Sequence, residues 1–363
     1  MALLPAGSSS TAMVGEVVDC LGGAVHLAYA ESEGDGAVIV AGFSGHEART
    51  RARARARAAA LRTLREPDER AHESTAVREP DGRAHGGTAV REPDGRAPRG
   101  AAGRAAAKEL RLADFAEDPP ASTGATVPGV GLLSGNRYLL PAEVVWLERR
   151  HGRMEPATSG VVDHGVAEAI AEVFAHDVVT RWWADPRRPL LRVSEQLDRL
   201  LPPGVPAAAT ELGLRVSAFV LSAQGASVAL VTVGGDAGAL AVAADRTVKS
   251  AVSEAFLLAM ASRAQPWHTL PLPDALRRFA VWHREGDYAA YLESMAVDAD
   301  TPLVHELGGL RPASWQEIAG HRFGHEPVAV EPGPLGRVVK VVCPGAACYR
   351  AARSATVLPC PIP

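Results

Sequence analysis

His321 and His325 are four residues apart, a spacing that on a helix would set two imidazoles on one face and suit zinc. Gly320 and Gly324 flank them, and two glycines so close together argue against a helix, so no zinc site is expected. Gly234-Gly235-Asp236 is rich in glycine but lacks the Lys-Ser/Thr pair with which a phosphate loop holds phosphate and magnesium, and it does not open a helix. Cys343 and Cys348 are five apart, which is not the spacing of a zinc knuckle or a redox pair. With Cys20 and Cys360 they read as reduced thiols. A Ser-His-Asp triad cannot be argued from spacing, because triads are recognised by geometry. Glu172 and Glu254 fall in segments of helical spacing, and taken alone each reads as a solvated helix residue. Ser159 reads as a turn serine, and Trp182-Trp183 as core.

Any such group is positioned by a chain of 363 residues, 47% hydrophobic and 22% charged, which can build a sizeable core. Its 38 basic and 42 acidic residues leave a net charge of -4, which excludes a global attraction to nucleic acid or anionic membrane. Met1 to Pro5 has neither the basic start nor the apolar run of a secretory signal. The most apolar stretch, about 224 to 244, is broken by Gly234, Gly235, Asp236 and Gly238 and reads as strand–turn–strand, not as a membrane span. A cytoplasmic location is the expectation.

Short apolar runs between 14 and 43 predict two or three strands. Glu47 to Leu64 predicts a helix from its Ala and Arg content, although Arg51, Arg53, Arg55 and Arg57 alternate as in a strand. Arg65-Glu-Pro-Asp-Glu-Arg-Ala71 recurs from Arg78 and from Arg91 with a period of 13 residues. Its content is polar, cannot offset the entropy of ordering, and predicts a disordered insertion over 65–105. Ala105 to Phe115 reads as helix-like, and Tyr138 to Leu147 as a strand that runs on. Val166 to Trp183 reads as an amphipathic helix with Val166, Ile170, Val173, Phe174 and Val178 on one face. Leu214–Leu221 and Ser227–Val233 read as strands about an Ala-Gln-Gly turn, and Asp245–Arg263 as a helix with Asp245 at its N-cap. Pro271 to Met295 holds a further helix, and Gly336–Val342 reads as a strand. Strands and helices in blocks point to an α+β class, with β-sheets packed by helices.

Four segments in order carry a family resemblance. Ala41-Gly-Phe-Ser-Gly-His-Glu-Ala48 is similar to a Gly-rich turn feeding an acidic helix. Ser159-Gly-Val-Val-Asp-His-Gly165, followed by Glu168 to Trp183, resembles a Ser-x-Gly-x-Ala-x-Gly turn and a helix ending in Glu-Arg-Asp and then Trp. Asp245–Arg263, especially Ala251-Val-Ser-Glu-Ala255, looks like a third acidic helix. Val338 to Gly345 and the terminal Pro359-x-Pro361-x-Pro363 are similar to a final strand and a proline ending. Together they resemble the YcaO superfamily, the azoline-forming cyclodehydratases of thiazole- and oxazole-modified peptides. The resemblance implies one YcaO-type domain over 1–363, with 65–105 inserted in it.

It also implies a chemistry. ATP and Mg2+ would serve the cyclodehydration of Cys, Ser or Thr residues to azolines in a ribosomally made precursor peptide. Ser159, Glu172, Glu254 and Arg263 would bind nucleotide and metal, with Glu172 and Glu254 as metal ligands. Pro359, Pro361 and Pro363 would carry the catalytic terminus, which disfavours thioamide or amidine formation. An E1-like or leader-peptide-binding protein would act in trans, with a second YcaO protein as a further possible partner. The family draws its carboxylates from pairs on three helices, and magnesium prefers such oxygen ligands. Here the acid positions of the first helix fall in Arg51 to Ala59, which has no carboxylate. Ala175 and His176 replace the Glu and Arg of the second helix, Asp177 is kept, and Leu257 stands where a partner of Glu254 is expected. The expectation therefore divides between an active, divergent cyclodehydratase and a degenerate copy that scaffolds or holds peptide beside an active one.

Overall fold

The computed structural model describes residues 14–32, 36–63, 107–115, 124–145, 160–161, 165–234, 238–265, 287–299, 313–330, 338–346 and 360. The 65–105 repeats, Ser159, Pro359, Pro361 and Pro363 lie outside the described residues.

The chain opens with an antiparallel meander of β1 (Val14–Cys20), β2 (Val25–Ser32) and β3 (Gly36–Gly42). Helix α1 (Gly45–Thr63) lies across one face of this sheet. Ala48, Ala52 and Ala56, four residues apart, bury against Ala28, Ala30 and Val40. Only small side chains let a helix approach a sheet so closely. The strand-to-helix turn needs glycine at Gly42, where a Cβ would meet the Ala48 amide nitrogen at 2.6 Å.

Next come β4 (Lys108–Glu109), β5 (Thr126–Gly131), β6 (Arg137–Pro141) and the short helix α2 (Ala142–Val145). Over the described residues 107–115 the expected helix is not formed. Leu110 and Leu112, two apart, enter the same core with Phe115, and β4 pairs parallel with β6. That is strand spacing, followed by a single 3-10 turn at Leu112–Asp114. After β7 (Gly160–Val161), helix α3 (Gly165–Ala184) crosses the molecule. It packs on the inner sheet, on the last strand and on a late helix, so it is buried most of the way round rather than amphipathic.

The inner sheet holds β8 (Leu190–Arg192), β9 (Arg215–Ala223), β10 (Ala226–Gly234), β11 (Ala239–Asp245) and β12 (Ala296–Asp298), in the order β11-β10-β9-β8-β12. Between β8 and β9 run α4 (Leu197–Leu200) and α5 (Val205–Glu211). Side chains alternate along the strands. Phe219, Leu221, Val228, Leu230 and Leu240 face α3, whereas Ala218, Val220, Ala229, Val231 and Ala243 face helix α6 (Val248–Ala264). Both faces are thus covered, which is why β10 reads as a continuous apolar run. Asp245 ends β11 instead of capping α6. The cap is Thr247, whose side chain accepts the Ser250 amide at 3.1 Å.

Helices α7 (Tyr288–Met295) and α8 (Trp315–Phe323) and strands β13 (Val328–Val330) and β14 (Val338–Val342) complete the fold. The outer sheet has the order β4-β6-β5-β13-β14-β7. Contrary to the reading from its glycines, the segment of His321 is helical. A Ser314–Glu317 capping box starts α8, and Gly324, at φ 72°, ends it. His325 lies beyond that cap, so the two histidines do not share a helix face. No helix among the described residues is long and apolar enough to cross a membrane.

Candidate functional site

Helices α1, α3 and α6 meet at a junction that gathers two of the residues singled out from the sequence. The start of α1 is fixed first. The Ser44 hydroxyl accepts the Glu47 amide at 3.1 Å, and the Glu47 carboxylate accepts the Phe43 amide at 2.9 Å. Phe43, in the turn before α1, stacks on Phe256 of α6 with ring centroids 6.3 Å apart, which anchors that turn on α6.

The α1 arginines then divide between two faces. At 100° per residue, alternate positions cannot share a face, whereas residues four apart can. Arg49 and Arg53 are exposed. Arg51 and Arg55 are half-buried and turn toward the junction. One nitrogen of the Arg51 guanidinium donates to Glu254 of α6 at 2.7 Å, and the other pairs with Glu47 at 3.0 Å. Arg55 forms a looser ion pair with Glu172 of α3 at 3.9 Å. Burial works against the charge of Arg51, but Glu254, then Glu47 and Glu168, outweigh it and raise its pKa above the usual value. On α3, His176 is held below the usual imidazole range by burial. Glu172 partly opposes that shift and Arg55 adds to it.

Two positions that lack an expected acid lie in the core. Ala175 and Leu257 are 1% and 2% exposed and belong to the two faces of the inner-sheet packing. The retained Asp177 points elsewhere. It is fully buried between Arg181, at 2.8 Å, and Arg322 of α8, at 2.5 Å. Arg322 also lies over the Phe174 ring, and Arg181 donates to the Gly345 carbonyl, so Asp177 locks α3 to α8 and the end of β14. Arg263 sits in the last turn of α6. Nine residues from Glu254 put it half a turn round and about 13 Å along the helix, away from the junction. Cys360, between the terminal prolines, packs partly buried against the α3 core.

The junction does not fit a magnesium–nucleotide group. A divalent ion on Glu254 or Glu172 would lie beside a guanidinium. At about 4 Å and an effective dielectric of about 20, that repulsion is about 8 kcal/mol. Among the described residues no group of three or more His, Cys, Asp or Glu is placed to hold a metal. The carboxylates instead have arginine as their counter-ion. The sequence puts arginines in the stretch where the first helix's acids are expected, but which glutamates they meet is not written in it.

A second polar region lies on the outer sheet. A hollow of about 180 Å³ is lined by Lys108, Tyr138, His325 and Glu326, among others. The Glu326 carboxylate accepts from the Leu133 and Ser134 amides and from the Ser134 and Tyr138 hydroxyls, at 2.5 to 2.9 Å. Burial opposes its charge, yet the two hydroxyls and the amides bring its pKa down to about 2. Glu326 lies against Gly131, where a Cβ would meet the carboxylate at 2.5 Å, and it clamps the β5–β6 turn to the segment before β13.

No protein-family model matches the chain, and no curated protein matches it. Solved structures do. A YcaO protein of Methanopyrus kandleri, solved with AMPPCP and Mg2+, is similar at 19% identity with a TM-score of 0.53, over 94% of this chain and 88% of that one. A heterocyclase solved with substrate and cofactor is similar at 15% identity and TM-score 0.53, over 93% of this chain and 50% of that one. A chain of the E. coli microcin synthetase McbBCD complex is similar at 12% identity and TM-score 0.57, over 100% of this chain and 99% of that one. The likeness spans nearly the whole length of this chain, and the chain has the YcaO fold.

Proposed function

We propose that this chain is a YcaO-type component of azoline formation in a ribosomally made peptide, and that it acts there as a subunit without nucleotide chemistry of its own. It would scaffold the assembly or hold precursor peptide beside an active cyclodehydratase, with an E1-like or leader-peptide-binding protein as a further partner. The observation that carries the second half is the arginine pairing: Arg51 on Glu254 and Arg55 on Glu172. The first half is supported by the fold and by the sequence segments in which it runs. The likeness to a chain of a multi-subunit synthetase supports work in a complex.

Within this reading the chain's own residues perform structural tasks. Arg51 and Arg55 neutralise the acids of the junction, burial disfavours the charged form of His176, and Asp177 fixes α3 against α8. ATP and Mg2+ are assigned to the partner.

Calorimetry of the purified chain with Mg2+ and ATP tests the reading, with Glu172→Ala and Glu254→Ala beside it. No saturable binding at millimolar nucleotide is expected, and heterocyclisation by a reconstituted complex should need the chain yet survive both substitutions. Saturable magnesium-dependent binding that both variants abolish would establish the other reading, an active cyclodehydratase with a rearranged site.

A further inference from the structure

At the junction Arg51 of α1 bridges Glu47 of its own helix and Glu254 of α6, and Arg55 stands near Glu172 of α3. Glu47, Glu172 and Glu254 are half-buried, and a carboxylate so placed is costly without a positive charge beside it. Arg51 is distinguished from its neighbours on α1. Arg49 and Arg53 are exposed, whereas Arg51 spreads its planar fork over two carboxylates on two helices, one of them 203 residues away in sequence. A guanidinium suits that task because it is always charged and donates in two directions at once.

We infer that Arg51 is a built-in counter-ion, which ties the start of α1 to α6 in the role a divalent cation would otherwise take, so that the fold depends on neither metal nor nucleotide. The inference rests on the reading of the junction as one that takes no magnesium–nucleotide, and it extends that reading from activity to stability.

The test is the melting temperature of the full chain in EDTA and in about 10 mM Mg2+, with and without ATP, for the wild type and for Arg51→Lys, Arg51→Gln and Arg51→Glu. The wild type should melt at one temperature in all three buffers. Arg51→Gln should lose about 1–2 °C in each, since the pairs are partly screened by solvent and the chain is long. Arg51→Lys, which keeps the charge without the fork, should lose less. Arg51→Glu should be the least stable in EDTA and regain stability in magnesium as the external ion replaces the lost charge. A wild-type melting point that rises with magnesium overturns the inference, and so does an Arg51→Gln variant as stable as the wild type. Should Arg51→Glu fail to fold, those two measurements still decide. Melting does not read activity: failed reconstitution would sink the proposed function and leave Arg51 as the counter-ion, whereas a magnesium-stabilised wild type would sink the inference.

Discussion

Glu326 gains its low pKa from donors that exist only in the folded chain. Ser134 and Tyr138 give it hydroxyls and Leu133 and Ser134 give it amides, which brings the carboxyl to about 2. Its contribution to stability is fully present above the unfolded carboxyl value of about 4.3, and is lost as pH falls through about 2. Melting curves between about pH 5 and pH 2 should therefore drop more steeply for the wild type than for Glu326→Gln, and equal slopes would refute the clamp. Asp177 tests burial in the opposite sense. It is a buried anion between two arginines, and Arg322 is itself only 12% exposed. Asp177→Ala leaves that cation buried and unpaired, at a cost of about 3–5 kcal/mol. The midpoint of urea unfolding should fall accordingly, and a shift equivalent to less than about 1 kcal/mol would mean that the arginines find other partners. From the sequence Asp177 was a remnant of a nucleotide-site motif; the structure gives it a role in packing.

Helix α1 carries the main lesson at the level of elements. Its Ala/Arg alternation has the period of a strand, yet its composition favours a helix, and the helix forms. The turn of 100° per residue then sorts the sequence into an alanine face on the small sheet, an exposed arginine face, and a face that bears Arg51 and Arg55. Ala52→Leu should cost about 1–3 kcal/mol, because no space is left against β2 and β3, whereas Arg53→Ala should change stability by less than about 0.5 kcal/mol. Chemical denaturation of the two variants compares them directly, and equal effects would reject this orientation of the helix. The missed elements fail for local reasons. Leu110 and Leu112 are spaced for a strand within a segment that was read for composition. Around His321, the glycines were read as helix breakers, but the Ser314–Glu317 box and the Gly324 cap define a short helix that tolerates Gly320.

Across the whole molecule, the inner sheet is the frame: one face carries α3, the other α6, and the small sheet brings α1 within side-chain reach of both. This layering explains why pieces separated by two hundred residues form one junction. The sequence by itself determined the α+β class, the stranded opening segment (though not whether it held two strands or three), α1, α3, α6, the β9–β10 hairpin and the final strand. Each of these follows from a local period or a local turn, which a short window of sequence contains. The resemblance it carries also singled out Glu172 and Glu254, together with 51 to 59, 175 and 257 as positions where an acid is expected and absent, because a residue's identity needs no coordinates. Only the tertiary structure decided that Arg51 and Arg55 stand on those glutamates, that Ala175 and Leu257 are core positions, that Asp177 serves α8, and that Arg263 turns away. Ion pairs between distant helices depend on the rotation and approach of those helices, and these are set by packing against a shared sheet, which no local pattern records.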